Sequence, residues 1–317
     1  MGLSRPRGRH VWLIGYYWSR HVVRGGAGLV FLVVALVFGL LVAQMMLAPV
    51  EMAKRQAKEE GQELSGDEVL HQIVQIGRPL VQWTLGIEVE KPVDRGPGPM
   101  MGMGWSGPRD PWTNYLLDER PALMSLIMLV LLIGMPMLAP MLAFSQLAAD
   151  VQNRGLRYLL LRTERGNIFL GRFLGTTAFA VAVLAVLMAT IALYVGGKFE
   201  IYEKGDLAAW SALGFVFLAV LMAPYIALST ALSGMVDSPF LSLTLSNVAI
   251  AGGLLGPRLA KLAWAPAEKL KYVLPWGIQT HLLHPEWAHV VGAAAGCLGY
   301  AVVFLMVGYW WFDRRDL

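Results

Sequence analysis

The chain has 317 residues, of which 56% are hydrophobic and only 15% are charged, and its net charge is +4. A soluble domain has roughly 25% charged residues, and here the charges gather in some stretches and are missing from others. This segregation excludes an ordinary soluble protein and indicates a membrane protein. The arginines flank apolar runs, a pattern that fits a lipid bilayer and not nucleic acid as the partner.

Six apolar stretches are long enough to cross a membrane, for which a helix needs about 20 residues. They contain no Asp, Glu, Lys or Arg and cover residues 27–49, 122–148, 173–195, 207–233, 240–255 and 290–311. Pro136 and Pro140 remove backbone donors from the second stretch and favour a kink. The sequence therefore predicts an all-α polytopic membrane protein with six transmembrane helices.

The basic residues are distributed unequally between the two sides of this membrane. With the N-terminus in the cytoplasm, twelve basic and five acidic residues lie inside, which gives +7 inside and −3 outside. Short loops that are rich in Lys and Arg mark the cytoplasmic side. Both termini are therefore predicted to be cytoplasmic.

The chain outside the spans divides into four segments. Residues 1–25 form the cytoplasmic N-terminus, and the transmembrane domain follows over residues 26–317. An extended first outer loop covers residues 51–121, with a helix-prone part at 51–82 and a Gly- and Pro-rich irregular part at 92–111. Residues 149–172 form a cytoplasmic loop. Residues 256–289 predict short helices that lie on the outer surface or dip back into the bilayer.

The most informative segment is the loop of residues 149–172, between the second and third spans. Leu156, Leu159 and Leu160 can form one apolar face of a short helix, beside Arg154, Arg157 and Arg162. A basic helix on the membrane surface would explain the charges. It would not explain an ordered apolar ridge that is followed by a second helix start near Arg165.

The amino-acid sequence of this loop resembles that of the permease subunits of the type-2 ABC exporter superfamily (ABC-2), in the bacterial half-transporter form. The shared features are Asp150, Gly155, the LLLRT run at 159–163 and the IFLGRFLG run at 168–175. The C-terminal FDRRDL run at 312–317 also matches, and residues 11–23 match the family's interfacial elbow helix. Two features depart from the family: the Glu that is common after the Gly is replaced, so that Gly155 is followed by Leu156 and Arg157, and the first outer loop is long.

The resemblance implies a homodimeric permease in the bacterial inner membrane, each copy bound to a separate cytoplasmic ABC ATPase. The ATPase would be contacted by Arg154, Leu156, Arg157, Leu159, Leu160 and Arg162. ATP and Mg would be bound by that partner alone, which agrees with the lack of a G-x-x-x-x-G-K-[ST] motif in the chain. Residues 51–121 could contact a further partner on the outer face. The complex would export or move a substrate, or transmit force across the membrane.

Two other function classes are less well supported. A membrane enzyme needs a polar catalytic constellation, and the predicted spans contain neither that nor an ionisable residue of an ion-coupled carrier. Their main polar patch is Asn247 with Ser242, Thr244 and Ser246, which we expect to form hydrogen bonds between helices. A non-transporting scaffold that anchors an ATPase remains an open alternative.

Two groups of residues could bind a metal on the outer face. His281, His284 and His289 lie near Glu286, but Pro285 interrupts their helical spacing. Met100, Met101 and Met103 could bind Cu(I), although methionine is common throughout the chain. Histidines near Trp residues on an outer surface are more often interfacial than metal-binding. We expect no catalytic residue, metal or cofactor in the chain itself.

Overall fold

The computed structural model describes residues 8–59, 66–85, 110–153, 155–199, 202–263 and 265–315, and the predicted irregular loop at 92–111 lies almost entirely outside them. The described residues are helical and include no strand, which confirms the all-α class. The elements are α1 (Gly8–Arg24), α2 (Ala27–Glu59), α3 (Gly66–Leu85), α4 (Pro111–Leu117), α5 (Ala122–Ala143), α6 (Ala148–Gln152), α7 (Gly155–Leu160), α8 (Arg165–Lys198), α9 (Lys204–Met235), α10 (Pro239–Ala263), the 3₁₀ helices η1 (Ala265–Val273), η2 (Pro275–Gly277) and η3 (Gln279–Leu283), and α11 (Trp287–Arg314).

Six helical segments of the described chain are long and apolar enough to span a membrane, and each contains one predicted span. They begin with α2, α5, α8, α9, α10 and α11. The 34 residues of α8 extend about 51 Å at 1.5 Å per residue, beyond the roughly 30 Å of a hydrocarbon core. The spanning helices therefore project past the apolar layer, where their polar ends contact the loops.

Helix α5 lies at the centre of the bundle. Sixteen of its 22 residues are buried, and the helix continues through Pro136 and Pro140 before it ends at Ala143. Its main neighbours are α9 and α2, while α9 also packs along α11 and α8. Helices α10 and α11 are peripheral and expose apolar side chains such as Phe240, Val248 and Val302, as helices that face lipid do.

The bundle has two ends, which carry different connections. The α6–α7 end contains α6, α7, the start of α8, the turn between α9 and α10, and the end of α11. The η end contains α3, α4, the connection between α8 and α9, and the three 3₁₀ helices. The two ends differ in their polar contacts, and each contains one of the groups of residues considered below.

The 3₁₀ segment at the η end descends between the spanning helices. The indole nitrogen of Trp276 donates to the carbonyl oxygen of Ile250 (3.0 Å), and its ring packs against Tyr225 at 5.4 Å between centroids. Both partners lie well inside their helices, α10 and α9. A side chain at Gly253 would overlap Leu274, so this glycine makes room for the descending chain.

Helix α1 packs along the first half of α8 through glycines. A Cβ atom at Gly171 would lie 2.8 Å from Cβ of Ile14, and one at Gly15 would lie 3.0 Å from the carbonyl oxygen of Gly171. Gly171 and Gly175 have the four-residue spacing by which small residues let membrane helices approach closely. The other face of α1 is exposed and carries Trp12 and Tyr17.

This close crossing leads to a first prediction. We expect Gly175→Ala to destabilise the fold by about 1–3 kcal/mol, the usual cost of overpacking, because the added methyl group would overlap the backbone oxygen of Gly15. Thermal unfolding in detergent, followed by tryptophan fluorescence, measures the change. Gly299→Ala in α11 is the control and should be neutral or slightly stabilising, since a Cβ there meets no atom within 4 Å.

Candidate functional site

The loop between α5 and α8 begins on a fixed base. The hydroxyl of Ser233 in α9 accepts hydrogen bonds from the backbone amides of Leu147 and Ala148, both at 3.1 Å. The same hydroxyl donates to the carbonyl oxygen of Phe144 at 3.0 Å. These bonds satisfy backbone groups that the end of α5 and the start of α6 leave without helical partners. The start of the loop is thereby attached to α9.

Leu156 belongs to the chain's own core and is only 1% exposed. It lies in a small apolar cluster with Leu147, which directly precedes α6, with Ile168 and Phe169 at the start of α8, and with Phe312 at the end of α11. The expected exposed ridge of Leu156, Leu159 and Leu160 is therefore wrong at its first position. Leu156 fastens α7 to the bundle, because α7 turns this side of the helix towards α8 and α11.

The outward side of the loop carries a different apolar set. Tyr158, Leu159 and Leu161 are exposed, and Leu161 is 83% exposed. Arg157 is also exposed. Leu160 and Arg162 line one cleft of about 510 Å³ with His10, Thr163, Glu164, Arg165, Asn167 and Asp313. Of the six predicted docking residues, Arg157, Leu159, Leu160 and Arg162 thus lie on or beside this outward surface, and Arg154 lies outside the described residues.

A buried arginine lies directly beneath the loop. Arg172 is 4% exposed, forms an ion pair with Asp150 and donates to the carbonyl oxygen of Gln146. The Trp18 ring of α1 covers the guanidinium at 4.5 Å from its centroid. A charge removed from water is tolerated only when it is paired and hydrogen-bonded. Arg172 meets that requirement with partners from α1, α6 and the turn after α5.

The side chain of Gln146 extends this network to a fourth element. Its amide nitrogen donates to the hydroxyl of Thr176 (2.6 Å), and its amide oxygen accepts from the hydroxyl of Thr230 in α9 (2.9 Å). The Thr176 hydroxyl also accepts from the indole nitrogen of Trp18 (2.9 Å). We call Trp18, Gln146, Asp150, Arg172, Thr176 and Thr230 the buried polar network. It connects α1, the loop, α8 and α9.

Two further arginines fix the end of α11 at the same end of the bundle. Arg165 donates to the carbonyl oxygens of Phe312, Asp313 and Arg315, at 3.3, 2.7 and 2.8 Å. Arg315 donates to the carbonyl oxygen of Gly234 at 3.0 Å and forms an ion pair with Asp237. Cations are favourable at these positions because carbonyl groups at a helix C-terminus lack helical donors.

This network does not follow from the sequence pattern, which predicts that the third span begins at residue 173 and that Arg172 is a loop charge. The structure begins α8 at Arg165, so Arg172 lies inside the helix. The sequence did contain a signal, since Gln146 and Arg172 each interrupt an apolar run. Polar side chains in such runs are paired, and Asp150 is a charge of opposite sign nearby.

The polar patch in α10 does not form the expected bonds between helices. The amide nitrogen of Asn247 donates to the carbonyl oxygen of Leu243 (3.0 Å), and the hydroxyl of Thr244 donates to that of Phe240 (3.0 Å). Both acceptors belong to α10 itself, so this expectation is wrong for these two side chains. Serine and threonine often bond the preceding turn of their own helix in this way.

The η end contains a cleft of about 740 Å³ with mixed charges. Its lining includes basic Arg78 and Arg120 together with Asp118, Glu203 and Asp206. The guanidinium of Arg120 also lies over the Trp210 ring, 5.0 Å from its centroid. This cleft lies between α3, α4 and the α8–α9 connection. Because charges of both signs line this cleft, it favours neither anionic nor cationic ligands.

Of the two groups considered for metal binding, one lies in the structure. Met100, Met101 and Met103 fall outside the described residues. His281, His284, Glu286 and His289 come together at the η end. Burial lowers the pKa of His281, and the neighbouring His284, His289 and Lys271 lower it further, so His281 is neutral at neutral pH.

A comparison with known families gives a match over most of the chain. The model of a family described as "ABC-2 family transporter protein" matches residues 20–317. A comparison with curated proteins found no match. The matched range includes the loop, the buried polar network except Trp18, and all six spanning helices.

The buried polar network leads to a second prediction. We expect Asp150→Asn to destabilise the protein by about 2–3 kcal/mol, because Arg172 would stay charged and lose its counter-charge. This is less than the 3–5 kcal/mol of a fully buried pair, since the side chain of Asp150 is 30% exposed. The melting temperature in detergent measures the effect. Glu51→Gln is the matched control: it removes a carboxylate whose partner Lys198 (3.0 Å) is half exposed, whereas Arg172 is buried, and should change the melting temperature little.

Proposed function

Because the chain belongs to the ABC-2 transporter family, we propose that it is the permease subunit of an ABC transporter, which works as a dimer with a separate cytoplasmic ATPase. The chain would supply the membrane path, and the partner would supply ATP hydrolysis with its bound Mg. The observation that carries the proposal is the loop at the α6–α7 end. It combines an exposed apolar surface with a base that is fixed in the bundle.

The exposed side of α7 suits a protein partner. Apolar surface left in water costs roughly 25 cal/mol per Å², so Tyr158, Leu159 and Leu161 favour a covering surface. Arg157 and Arg162 lie at the edge of this patch, where charges guide a partner but contribute little affinity. We propose that a groove of the ATPase covers the apolar side chains and contacts these two arginines.

The base of the loop supports a mechanical role. The buried polar network and Ser233 attach the loop to α1, α8 and α9. A displacement imposed on α7 would therefore move the ends of these helices and not merely bend a flexible connection. Leu156 adds to this attachment through its apolar cluster.

A second copy of the chain completes the proposal. Helix α5 is packed on most of its surface, so the middle of one chain is filled by side chains. Helices α2, α10 and α11 leave most of their apolar surface exposed, and lipid and a second copy would share it. A path for substrate would then lie between two copies. Membership in the family and this exposed surface support the dimer.

The charge distribution supports an orientation in a bacterial inner membrane. The α6–α7 end carries Arg157, Arg162, Arg165, Arg314 and Arg315. Lys and Arg concentrate on the cytoplasmic side of inner-membrane proteins. We propose that the α6–α7 end is cytoplasmic, where the ATPase and ATP are found, and that the η end faces the outside.

The docking proposal gives a third prediction. Leu159→Asp should weaken ATPase association by about 2 kcal/mol or more, as for a central interface contact, because it places a charge in the covered apolar patch. Co-purification of the tagged permease with co-expressed ATPase measures this, and the wild-type complex should contain two copies of each chain by mass.

Asn153→Asp is the matched control, since it adds the same charge to the same loop at an exposed polar position. It should leave the amount of ATPase unchanged. Membrane insertion should be normal for both variants, because residues 153 and 159 lie outside the six membrane-spanning segments. If the Leu159→Asp variant retains ATPase at the wild-type level, α7 is a membrane-surface helix and the docking assignment is wrong.

The orientation gives a fourth prediction. A reporter enzyme that is active only in the cytoplasm should be active when fused after Leu317. The same reporter inserted after Gly197, at the far end of α8, should be inactive. A reversed pattern would place the α6–α7 end outside and would refute both the orientation and ATPase docking there.

A further inference from the structure

Four side chains with metal-binding atoms converge where the η end meets α11. One nitrogen or oxygen atom each from His284, Glu286 and His289 lies within 4.8 Å of the other two. The rings of His284 and His289 are 4.1 Å apart between centroids, and each lies 6.2 Å from the ring of His281. Three imidazoles and one carboxylate thus share a small region that the proposed transport function does not use.

The chain reversal at Pro285 brings these side chains together. His281 lies in η3, and His284 follows directly, whereas Glu286 occupies the residue before α11 and His289 lies in the first turn of that helix. Pro285 prevents one continuous helix through the four positions. The histidines therefore do not need a regular helical spacing to come together, because the turn at Pro285 places their side chains next to one another.

A tryptophan from a third element covers the cluster. The ring of Trp112 in α4 stacks on His281 at 5.5 Å and meets His284 edge-on at 4.9 Å between centroids. Its indole nitrogen donates to the carbonyl oxygen of Leu283 at 2.8 Å. Trp112 therefore restricts both imidazole rings and shields them from water on one side. Such support reduces the rearrangement that ligand binding requires.

Two polar contacts bear on which atoms are available. Nδ1 of His289 lies 3.2 Å from the Glu286 carboxylate, an arrangement that leaves Nε2 with its lone pair for a ligand. Nδ1 of His281 is buried and has no hydrogen-bond partner. Buried polar atoms without partners are uncommon. Nδ1 of His284 accepts from the Glu286 amide at 3.0 Å, and a ligand at that atom would have to replace this bond.

We propose that His281, His284 and His289, with Glu286, form a binding site for a divalent transition-metal ion of the Zn²⁺ type on the outer face. Imidazole nitrogens with one carboxylate are a ligand set that Zn²⁺ takes in tetrahedral geometry. Two atoms bound to one Zn²⁺ lie roughly 3.3 Å apart, given bonds of about 2.0–2.1 Å. The 4.8 Å spread of the ligand atoms of His284, Glu286 and His289 therefore needs side-chain movements of about 1 Å. His281 lies outside that group and would have to move further to become the fourth ligand, since its ring centroid is 6.2 Å from those of His284 and His289. Ca²⁺ and Mg²⁺ prefer sites built from oxygen ligands, so this set disfavours them.

The bound ion would connect three parts of the η end. His281 and His284 belong to the end of the 3₁₀ segment, His289 belongs to α11, and Trp112 joins α4 to both. The ion would fix the end of the descending segment against α11. It would therefore stabilise this region whether or not the chain docks an ATPase.

Zinc binding by the full-length protein in lipid nanodiscs tests the proposal. The protein is stripped with a chelator, and Zn²⁺ is then titrated in competition with a chromophoric indicator. We expect about one ion per chain and a higher melting temperature with Zn²⁺ than with Mg²⁺. The affinity should fall at least tenfold in the double variant His284→Ala/His289→Ala and about 10–100-fold in Glu286→Gln, the range for loss of a carboxylate that binds or orients a ligand.

The double variant His21→Ala/His71→Ala is the matched control. It removes two histidines of α1 and α3 that are not among the clustered ligand residues, and should keep the wild-type affinity. Glu286→Gln is nearly isosteric, so it remains informative if the double substitution in the cluster prevents folding. Equal Zn²⁺ affinity in wild-type and Glu286→Gln protein, or equal losses in the two double variants, would mean adventitious binding and overturn the proposal.

Discussion

The arrangement of the α6–α7 end depends on the burial of one positive charge. Arg172 is inside α8, and its guanidinium cannot lose its proton in a protein. It can leave water only if other groups replace the water molecules, and those groups come from three other parts of the chain: Asp150, the carbonyl oxygen of Gln146 and the ring of Trp18. Removing any one of these elements would expose the charge or leave it unpaired. The same charge therefore fixes α1, α6 and the turn after α5 relative to α8.

The loop consequently has a fixed base and an open outer surface. Its base is tied by charge-assisted hydrogen bonds, by the bonds to Ser233 and by the apolar cluster around Leu156. Its outer surface carries Tyr158 and Leu161, which contact little of the chain itself. A partner that binds the outer surface has no need to order a disordered segment, so its binding energy is not spent on ordering entropy. The loop has these two surfaces because Leu156 faces inward. The run of leucines in the sequence does not by itself show which leucine does so.

The sequence predicted the fold better than it predicted the contacts. The six spans are confirmed because a run of about 20 apolar residues has few alternatives to crossing the bilayer. The family resemblance is confirmed over most of the chain. The burial of Leu156 and the hydrogen bond of Asn247 within its own helix could not be predicted, because both depend on which neighbours α7 and α10 contact. Spacing along one helix identifies a possible apolar face but does not say what covers it. The position of Arg172 was missed for a simpler reason: a span that is defined as free of charges cannot include an arginine, even where that arginine is buried inside the helix.

Helix α9 is the element that joins the two ends. Near its C-terminus, Ser233 and Thr230 bind the loop and the buried polar network, and further along Tyr225 packs on Trp276 of the descending segment. At its other half, Trp210 donates to the hydroxyl of Ser125 in α5 at 3.0 Å. Pro224 lies between these two sets of contacts, where it leaves a carbonyl group of the preceding turn without its helical donor. A helix is most easily bent at such a position. The half of α9 that holds the loop also contacts Trp276 of the descending segment. The half beyond Pro224 is anchored to α5 and lies beside Leu282 and Leu283 at the end of that segment. Bending at Pro224 would therefore move the loop and Trp276 relative to α5 and to the end of the descending segment.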